Sequence, residues 1–325
     1  MNVSDAFDRF QHYVDADPEA VKEARRRGGA FKTAFEELEE VDEVFISGSL
    51  ARKTHKAPIN DVDVVIVFRR EARSEWGQPG TSAEEALSET SGMVNELLGA
   101  TNGAHEHLVR LARPGNHAVK CFVDDPDDPD AFTADAMPAF RTDTGLLIPE
   151  KSSMDWVPSN PHYLIDQVRM RTESWSRYPA TVRLVKAWAK RQRGIEIKSL
   201  VMEVLALHFL RYDGAAQSTA LKEFFVRAAV YIEDGYEVTD PAEICGPIQN
   251  GLDYEKLADC LRDAANKAGD AWSKQALGDD TAAIRRWGEV FGEGFPSPPS
   301  TSGRPTVIPP VVPDSPRPVK DTPQG

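Results

Sequence analysis

Residues 47–68 read SGSLARKTHKAPINDVDVVIVF. A Gly-Ser pair, Gly48 and Ser49, follows one hydrophobic run, and the carboxylates of Asp61 and Asp63 open a second run. Both runs are rich in the β-branched and aromatic residues that favour strands. Because side chains alternate between the two faces of a strand, Asp61 and Asp63 lie on the same face. The stretch therefore predicts two consecutive strands that bring a Gly-Ser turn and a pair of carboxylates into one unit.

The carboxylate pair and the Gly-Ser turn carry more information together than either does alone. Two neighbouring carboxylates repel each other unless positive charge lies between them, and a pair of divalent cations usually supplies that charge. Alone, a Gly-Ser pair is more often an ordinary turn, and an Asp-x-Asp pair is more often a solvated strand face. In this order and at this spacing, they resemble the core of the polymerase-β-type nucleotidyltransferases. That resemblance implies phosphoryl transfer.

Two-metal phosphoryl transfer also needs a carboxylate from a neighbouring strand, and Asp135 is our candidate. It lies in the run FTADAMPAF, on a short predicted strand that Pro138 soon ends. Its rivals, Asp124 and Asp125, lie in the segment 124–130, where five carboxylates and two prolines predict a flexible hairpin loop that would fix a metal poorly. A calcium loop is the alternative for this segment, but the glycine and terminal glutamate of an EF-hand are missing.

The second half of the chain supplies candidate cations. Lys198 and Ser199 stand at the predicted start of an apolar helix, where free backbone N–H groups and the helix dipole favour an anion. Lys186, on the preceding predicted helix, could reach the same phosphates, although a solvated surface lysine is the alternative. We therefore predict that Lys186, Lys198 and Ser199 bind a triphosphate.

Hydrophobic periodicity divides the chain into a half with a mixed sheet, a helical half and a tail. Predicted strands lie near 41–47, 61–68, 107–112, 117–123 and 131–137. Predicted helices lie near 18–39, 82–99, 161–176, 179–193, 197–211, 220–232, 253–276 and 280–290. The tail holds ten of the 23 prolines, so we expect it to be disordered. The expected domains are a catalytic lobe with the N-terminal helices at 1–160, a helical lobe at 161–295 and the tail at 296–325.

Composition narrows the class of protein. The 325 residues carry a net charge of −14, which argues against a protein that coats nucleic acid. No hydrophobic run approaches the length of a membrane span and the N-terminus lacks an apolar signal segment, so we expect a soluble cytoplasmic protein. The three widely separated cysteines show no zinc-binding spacing and fit a reducing compartment.

Four blocks of the chain resemble the bacterial cGAS/DncV-like nucleotidyltransferases, or CD-NTases. The blocks are GSLARKTHKAPINDVDVVIVF, TADAMPAF, RLVKAWAKRQRGIEIKSLVMEVLA and AIRRWGEVFGEGFP. The resemblance implies an α+β, bilobed nucleotidyltransferase fold, with a mixed β-sheet catalytic lobe and a helical lobe that close on nucleoside triphosphates. It also implies that the enzyme joins these substrates into a cyclic or linear oligonucleotide second messenger, in the anti-phage system called CBASS.

The resemblance assigns roles to single residues. It implies that Asp61 and Asp63 bind two Mg²⁺ ions, for which Mn²⁺ can substitute, and that Asp135 shares the ion that activates the attacking hydroxyl. The residues that would hold the donor's phosphates are Gly48, Ser49, Lys186, Lys198 and Ser199. The chain departs from the family at Lys53, where many relatives have a glycine, and this difference bears on the geometry of the loop.

Three other functions stay open on the sequence alone. A tRNA- or RNA-tailing nucleotidyltransferase shares the core but should carry a basic RNA-binding surface. An antibiotic- or protein-modifying nucleotidyltransferase is usually built on a shorter chain. A non-enzymatic nucleotide sensor is disfavoured because all three carboxylates are present.

The resemblance also implies partners. A downstream effector would respond to the product, and an E1/E2-like ligase (Cap2-type) would act on the C-terminal Gly325. An ordinary disordered terminus is the alternative for that residue. We expect no membrane partner and no obligatory nucleic acid.

Overall fold

The structure is a computed structural model that describes residues 1–99, 108–211, 214 and 216–298. The strands are β1 Val41–Ile46, β2 Asp61–Phe68, β3 Leu111–Pro114, β4 Val119–Phe122, β5 Thr133–Thr142, β6 Gly145–Glu150 and β7 Asp155–Ser159. The helices are α1 Val3–Val14, α2 Pro18–Glu36, α3 Gly48–Ala51, α4 Ser82–Leu98, α5 Pro161–Ser174, α6 Tyr178–Lys190, α7 Ser199–Phe209, α8 Gln217–Glu233, α9 Tyr254–Ala276 and α10 Asp280–Phe291. Within the described ranges, no helix is long and apolar enough to cross a membrane. The expected disordered tail, beyond its first three residues, and Gly325 lie outside the described residues.

The seven strands form one mixed sheet. Its main order is β1-β2-β5-β4-β3, and β6 pairs with both β5 and β7. Only β2 and β5 run parallel; the other pairs of the described strands are antiparallel. Val62 and Val64 of β2 pack with α2 and α4 on one face, while Val65 and Val67 pack on the other. The predicted α+β class and mixed sheet are confirmed.

Strand β5 is longer than we predicted. We expected a strand at 131–137 that Pro138 ends, but β5 continues through the proline to Thr142. This expectation was wrong because β5 pairs with β4 only up to Ala136 and with β6 only from Phe140. The proline falls between these two neighbours, so its missing N–H interrupts neither pairing.

Strands β6 and β7 were not predicted from the sequence. Each contains a proline, Pro149 in β6 and Pro158 in β7, and proline is depleted in strands. β7 pairs only with β6 among the described strands, so it lies at an edge, where proline is tolerated.

Helix α2 lies close against the sheet. It begins as predicted, with Pro18 as its first residue and the side chain of Asp17 accepting hydrogen bonds from the backbone of the first turn. The Gly28-Gly29 pair does not interrupt it, although glycine weakens helices. A Cβ atom on Gly28 would lie 3.0 Å from Val62 and 3.1 Å from Ile46. The glycine therefore allows the helix to approach β1 and β2.

Helix α1 packs with the helical half. Its Phe7 ring lies 5.0 Å from the Trp287 ring, and its Phe10 ring lies 5.0 Å from the Phe291 ring. Both phenylalanines belong to the core formed by α5–α10. The division of the chain near residue 160 stays a prediction, but the first helix contributes to the helical core rather than to the core under the sheet.

The glycine pair of α2 allows a matched test of this close approach. A Cβ atom on Gly29 would meet nothing within 4 Å, so we expect Gly29→Ala to raise the free energy of unfolding by about 1 kcal/mol. Gly28→Ala should gain less or lose stability because its methyl group presses on β1 and β2. Thermal unfolding of both variants beside the unmodified protein measures this difference. Equal gains for both variants would contradict the packing described here.

Candidate active site

The parallel pairing of β2 and β5 brings the three predicted carboxylates together. In this register Asp63 lies directly opposite Asp135, and Asp61 lies opposite Thr133. Because side chains two residues apart on a strand share a face, all three carboxylates project from one face of the sheet. On the far side of β5, Lys120 of β4 lies opposite Asp135.

Burial and mutual repulsion raise the pKa of two of these carboxylates. Burial, and after it the negative charges of Asp61 and Asp135, raise the pKa of Asp63 to about 6. Burial also raises the pKa of Asp135, against the opposing effect of Lys120. The carboxylates of the site therefore repel one another, and a bound cation would reduce this repulsion.

The carboxylates fit an open metal site rather than a closed one. Within the described part of the chain, no three His, Cys, Asp or Glu side chains form a group that could hold a metal by themselves. Mg²⁺ is usually held by one or two carboxylates, with substrate phosphates and water completing its octahedron. Asp61 and Asp63 on one strand face suit that arrangement.

The Gly-Ser turn touches the carboxylate site directly. The N–H of Ser47 donates to the backbone carbonyl of Asp63 at 2.8 Å, which fixes the turn against β2. Gly48 has a φ of +62°, and a Cβ atom there would lie 1.6 Å from Oδ2 of Asp63. Only glycine fits this position. Its backbone therefore lies against the Asp63 carboxylate, whose pKa is raised.

A cavity of about 510 Å³ lies in front of the carboxylates. The sheet half contributes Gly48, Ser49, Asp61 and Asp63 to its wall, and the helical half contributes Lys186, Ser199 and Glu203. The predicted residues Asp135 and Lys198 are not among those that line it. A cavity of this size is within the range of small-molecule sites.

Lys186 forms a buried ion pair that the sequence did not reveal. Its Nζ donates to Oε1 of Glu203 at 2.7 Å and to the carbonyl of Thr54 at 3.0 Å. Arg52 donates through Nε to Oε2 of the same glutamate at 2.7 Å. Burial would raise the pKa of Glu203, but Arg52 and Lys186 outweigh this effect and lower it. Lys186 therefore lies at the cavity but is already paired.

A signal for Glu203 was present in the sequence. It is the one acidic residue of α7, whose sequence SLVMEVLALHF is otherwise largely apolar. A fully buried glutamate is rare unless it is paired. The partner cations could not be named from the sequence because they belong to other elements.

Lys198 and Ser199 occupy the start of α7, as predicted. Lys198 is the N-cap residue, and its backbone N–H donates to Oε1 of Gln249 at 2.8 Å. Its side chain is exposed, while Ser199 lines the cavity. Their roles in phosphate binding stay predictions.

The backbone at Lys53 suits the glycine that the resemblance implies for this position. This lysine has a φ of +58°, in the left-handed region that glycine adopts without strain. Its carbonyl accepts a hydrogen bond from Nη1 of Arg183 at 2.6 Å, which helps to hold the conformation.

The rival carboxylate Asp124 lies in the connection between β4 and β5, which pair as the predicted hairpin. Its Oδ2 accepts hydrogen bonds from Nη1 of Arg27 at 3.1 Å and from the N–H of Phe132 at 3.2 Å. It therefore has a structural partner of its own, and neither Asp124 nor Asp125 lines the cavity.

Comparison with known proteins supports the class that this fold and site define, a nucleotidyltransferase. Residues 30–101 match the family described as the nucleotidyltransferase domain. The chain is 25% identical over 296 residues to a probable cyclic nucleotide synthase of Bacillus cereus, a match that covers 81% of this chain and 85% of the relative. Residues 30–101 of the chain thus match a nucleotidyltransferase domain.

Solved structures of CD-NTases have the same fold. CdnC of E. coli MS115-1 with ATP matches at a TM-score of 0.70 and 16% identity, covering 91% of this chain and 99% of CdnC. The cyclic AMP-GMP synthase DncV of Vibrio cholerae matches at 0.56 and 12% identity, covering 90% of this chain and 87% of DncV. The predicted resemblance to the cGAS/DncV-like nucleotidyltransferases and the predicted bilobed fold are confirmed.

The raised pKa of Asp63 predicts how stability depends on pH. The folded protein binds this proton with a pKa of about 6, against an ordinary value of 3.8. Metal-free protein should therefore lose stability as the pH rises from about 4 to about 6, by up to about 3 kcal/mol. Asp63→Asn removes the charge and should remove this loss. Chemical denaturation in EDTA across this pH range measures it.

The control for this measurement is Asp143→Asn, which changes an exposed carboxylate in the turn between β5 and β6. Its pH profile should follow that of the unmodified protein. If the Asp63→Asn profile does so as well, the repulsion inferred at the carboxylate site is wrong.

The buried Lys186–Glu203 pair predicts that substitutions of two lysines affect stability to different extents. Lys186→Met leaves Glu203 buried without one of its cations, so we expect a loss on the order of 3 kcal/mol in unfolding free energy. Lys198→Met changes an exposed side chain and should stay within about 0.5 kcal/mol. Urea denaturation of both variants measures the contrast. Similar losses would show that the Glu203 pair does not stabilise the fold.

Proposed function

We propose that this nucleotidyltransferase joins nucleoside triphosphates into a cyclic or linear oligonucleotide and releases pyrophosphate. The observation that carries the proposal is the close approach of Gly48 to the Asp63 carboxylate in the wall of a nucleotide-sized cavity. A triphosphate on the turn would then have its α-phosphate next to the carboxylates. The names of the relatives, a cyclic nucleotide synthase and a cyclic AMP-GMP synthase, support a nucleotide as the acceptor.

We propose that Asp61 and Asp63 hold two Mg²⁺ ions, with Asp135 sharing one of them, and that Mn²⁺ can substitute. When bound, these ions would make the attacking ribose hydroxyl more acidic and neutralise charge on the leaving pyrophosphate. Gly48 keeps the turn against Asp63, so Ser49 can hold a phosphate close to both carboxylates. Ser199 faces the cavity from the start of α7, where the helix dipole favours an anion. Lys186 and Lys198 are proposed to add positive charge on the same side.

We place this activity in a wider setting as part of the proposal. The oligonucleotide would be a second messenger in anti-phage (CBASS) defence and would act on a downstream effector. The domain division at 160 and 295, the cytoplasmic location and the action of an E1/E2-like ligase on Gly325 belong to the same proposal. The unpaired cysteines fit a reducing compartment.

The decisive experiment is product analysis by mass spectrometry. The purified full chain is incubated with all four nucleoside triphosphates and Mg²⁺, with and without tRNA. We expect oligonucleotides of two or three units without tRNA, and loss of at least about a hundredfold in rate for Asp61→Ala with Asp63→Ala, because charge developing in the transition state is no longer neutralised.

Two outcomes would contradict the proposal. Product that forms only on added tRNA would identify an RNA-tailing enzyme instead. Appreciable synthesis by the double variant would refute the role of the two carboxylates. Thermal unfolding of the double variant serves as the control for its fold.

A further inference from the structure

Four aromatic rings form a continuous row on the surface of the helical half. Along this row, which we call the aromatic ladder, the ring centroids of His208, Phe209, Tyr231 and Tyr236 lie 5.9, 5.2 and 4.9 Å apart. Phe209 and Tyr231 pack against the helical core, whereas Tyr236 is 57% exposed. Among the described residues that line the cavity, none belongs to the ladder.

Local hydrogen bonds hold the exposed end of the ladder in place. The N–H of Tyr236 donates to the carbonyl of Tyr231 at 3.3 Å, and the hydroxyl of Tyr231 donates to the carbonyl of Glu237 at 3.1 Å. The planes of the two tyrosine rings differ by only 14°. The ladder is therefore a preformed surface, so a partner that binds there orders few protein side chains. Grooves lined with aromatic rings bind proline-rich segments in the PPII conformation.

Acidic side chains flank the exposed end of the ladder. Asp234 and Glu237, on either side of Tyr236 in the chain, are exposed, and neither forms an ion pair with a residue that the structure describes. Nucleotide bases also stack on aromatic rings, but sites for them add positive charge for the phosphates. The two carboxylates repel phosphate and favour a ligand that carries positive charge next to apolar groups.

The tail of this chain contains a segment of that chemistry. Residues 304–318 read RPTVIPPVVPDSPRP, and neither the fold nor the proposed catalysis uses them. A PPII helix has three residues per turn, so residues three apart in sequence share one edge. One such edge consists of a cation followed by four apolar residues, Arg304, Val307, Pro310, Pro313 and Pro316. Because proline already restricts φ to the PPII value, ordering this segment costs little entropy.

The tail leaves the helical half within reach of the ladder. The ring of Phe295 lies 5.7 Å from that of Phe291, which lies 6.4 Å from the ring of Phe225 on α8. Tyr231 follows Phe225 on the same helix, about 9 Å farther along its axis. In the PPII conformation the chain from Phe295 to Arg304 spans about 28 Å, which is more than this path requires. A tethered segment has an effective concentration on the order of millimolar, so even a weak site is occupied.

We propose that residues 304–318 dock on the aromatic ladder of the same chain in the PPII conformation. The prolines of one edge pack against Tyr231 and Tyr236, and Arg304 lies beside the carboxylates of Asp234 and Glu237. Docking leaves residues 319–325 free to extend from the body. The inference does not depend on the proposed function, because the ladder lies outside the cavity.

The test places a photo-cross-linker on the ladder of the full chain. Tyr236→p-benzoylphenylalanine keeps an aromatic ring at this position, and on irradiation the new side chain links to C–H groups that it touches. We expect mass spectrometry to identify links from position 236 to residues 304–318 of the same chain. Replacing Pro310, Pro313 and Pro316 together by serine should lower the yield at least about fivefold, because serine neither fixes φ nor packs on a ring. High salt should also lower it by screening the carboxylates.

The control carries the same cross-linker at Leu277, which is 86% exposed at the end of α9. Links from position 277 to residues 304–318 should be at least about fivefold rarer than links from position 236, since no docked segment is expected there. Equal yields at the two positions would show a freely moving tail and overturn the inference. Links that join two chains would also overturn it, because the ladder would then bind a second copy.

Nuclear magnetic resonance of the full chain tests the same contact without a bulky probe. In the unmodified protein the backbone order parameters of Val311 and Val312 should exceed about 0.6, the upper limit for flexible segments. Tyr236→Ser should bring them below this limit, whereas Tyr236→Phe retains the ring and should keep them above it. Thr322 and Gln324 should be flexible in all three proteins.

Thermal unfolding of Tyr236→Ser serves as the control for its fold. Because Tyr236 is largely exposed, this variant should unfold at nearly the same temperature as the unmodified protein. Order parameters of Val311 and Val312 that are low in the unmodified protein, or that Tyr236→Ser leaves high, would refute docking on the ladder.

Discussion

The buried carboxylate of Glu203 is the interaction on which the arrangement of the site depends. Removing an ionised carboxylate from water costs several kcal/mol, and only a complete set of partners offsets that cost. The carboxylate of Glu203 accepts hydrogen bonds from Arg52, Lys186 and the hydroxyl of Thr54. Arg52 and Thr54 follow the Gly-Ser turn, whereas Lys186 lies on α6. One side chain of α7 therefore fixes the turn and the helical half in a single geometry.

Most of the sheet could be predicted because its signal is local. The alternation in residues 61–68 fixes which side chains share a face, and it placed Asp61 and Asp63 correctly on one face without knowledge of their neighbours. The extent of β5 could not be predicted in this way. Whether Pro138 ends a strand depends on which strands pair beside it, and that information is not contained in the run FTADAMPAF.

The same limit applies to the site. Asp135 was accessible to sequence reasoning because the chemistry demands a carboxylate on a neighbouring strand, and the register sets it opposite Asp63. The partner of Lys186 was not accessible, because the contact with Glu203 depends on how α6 packs on α7. The positions of lysines in a sequence indicate where positive charge lies. They do not indicate whether a buried carboxylate already neutralises that charge.

The distribution of charge along the cavity follows from these contacts. At one end, burial and the negative charges of Asp61 and Asp135 hold the pKa of Asp63 near 6. On the helical side, Glu203 neutralises Lys186, so that lysine holds the fold of the site rather than offering free positive charge. The negative charge at the carboxylates has no such internal partner, and an anionic phosphate can approach them only once a cation has neutralised them. In the proposed reaction, the acidic end of the cavity would therefore hold the cations, and the Glu203 pair would hold the turn that faces them.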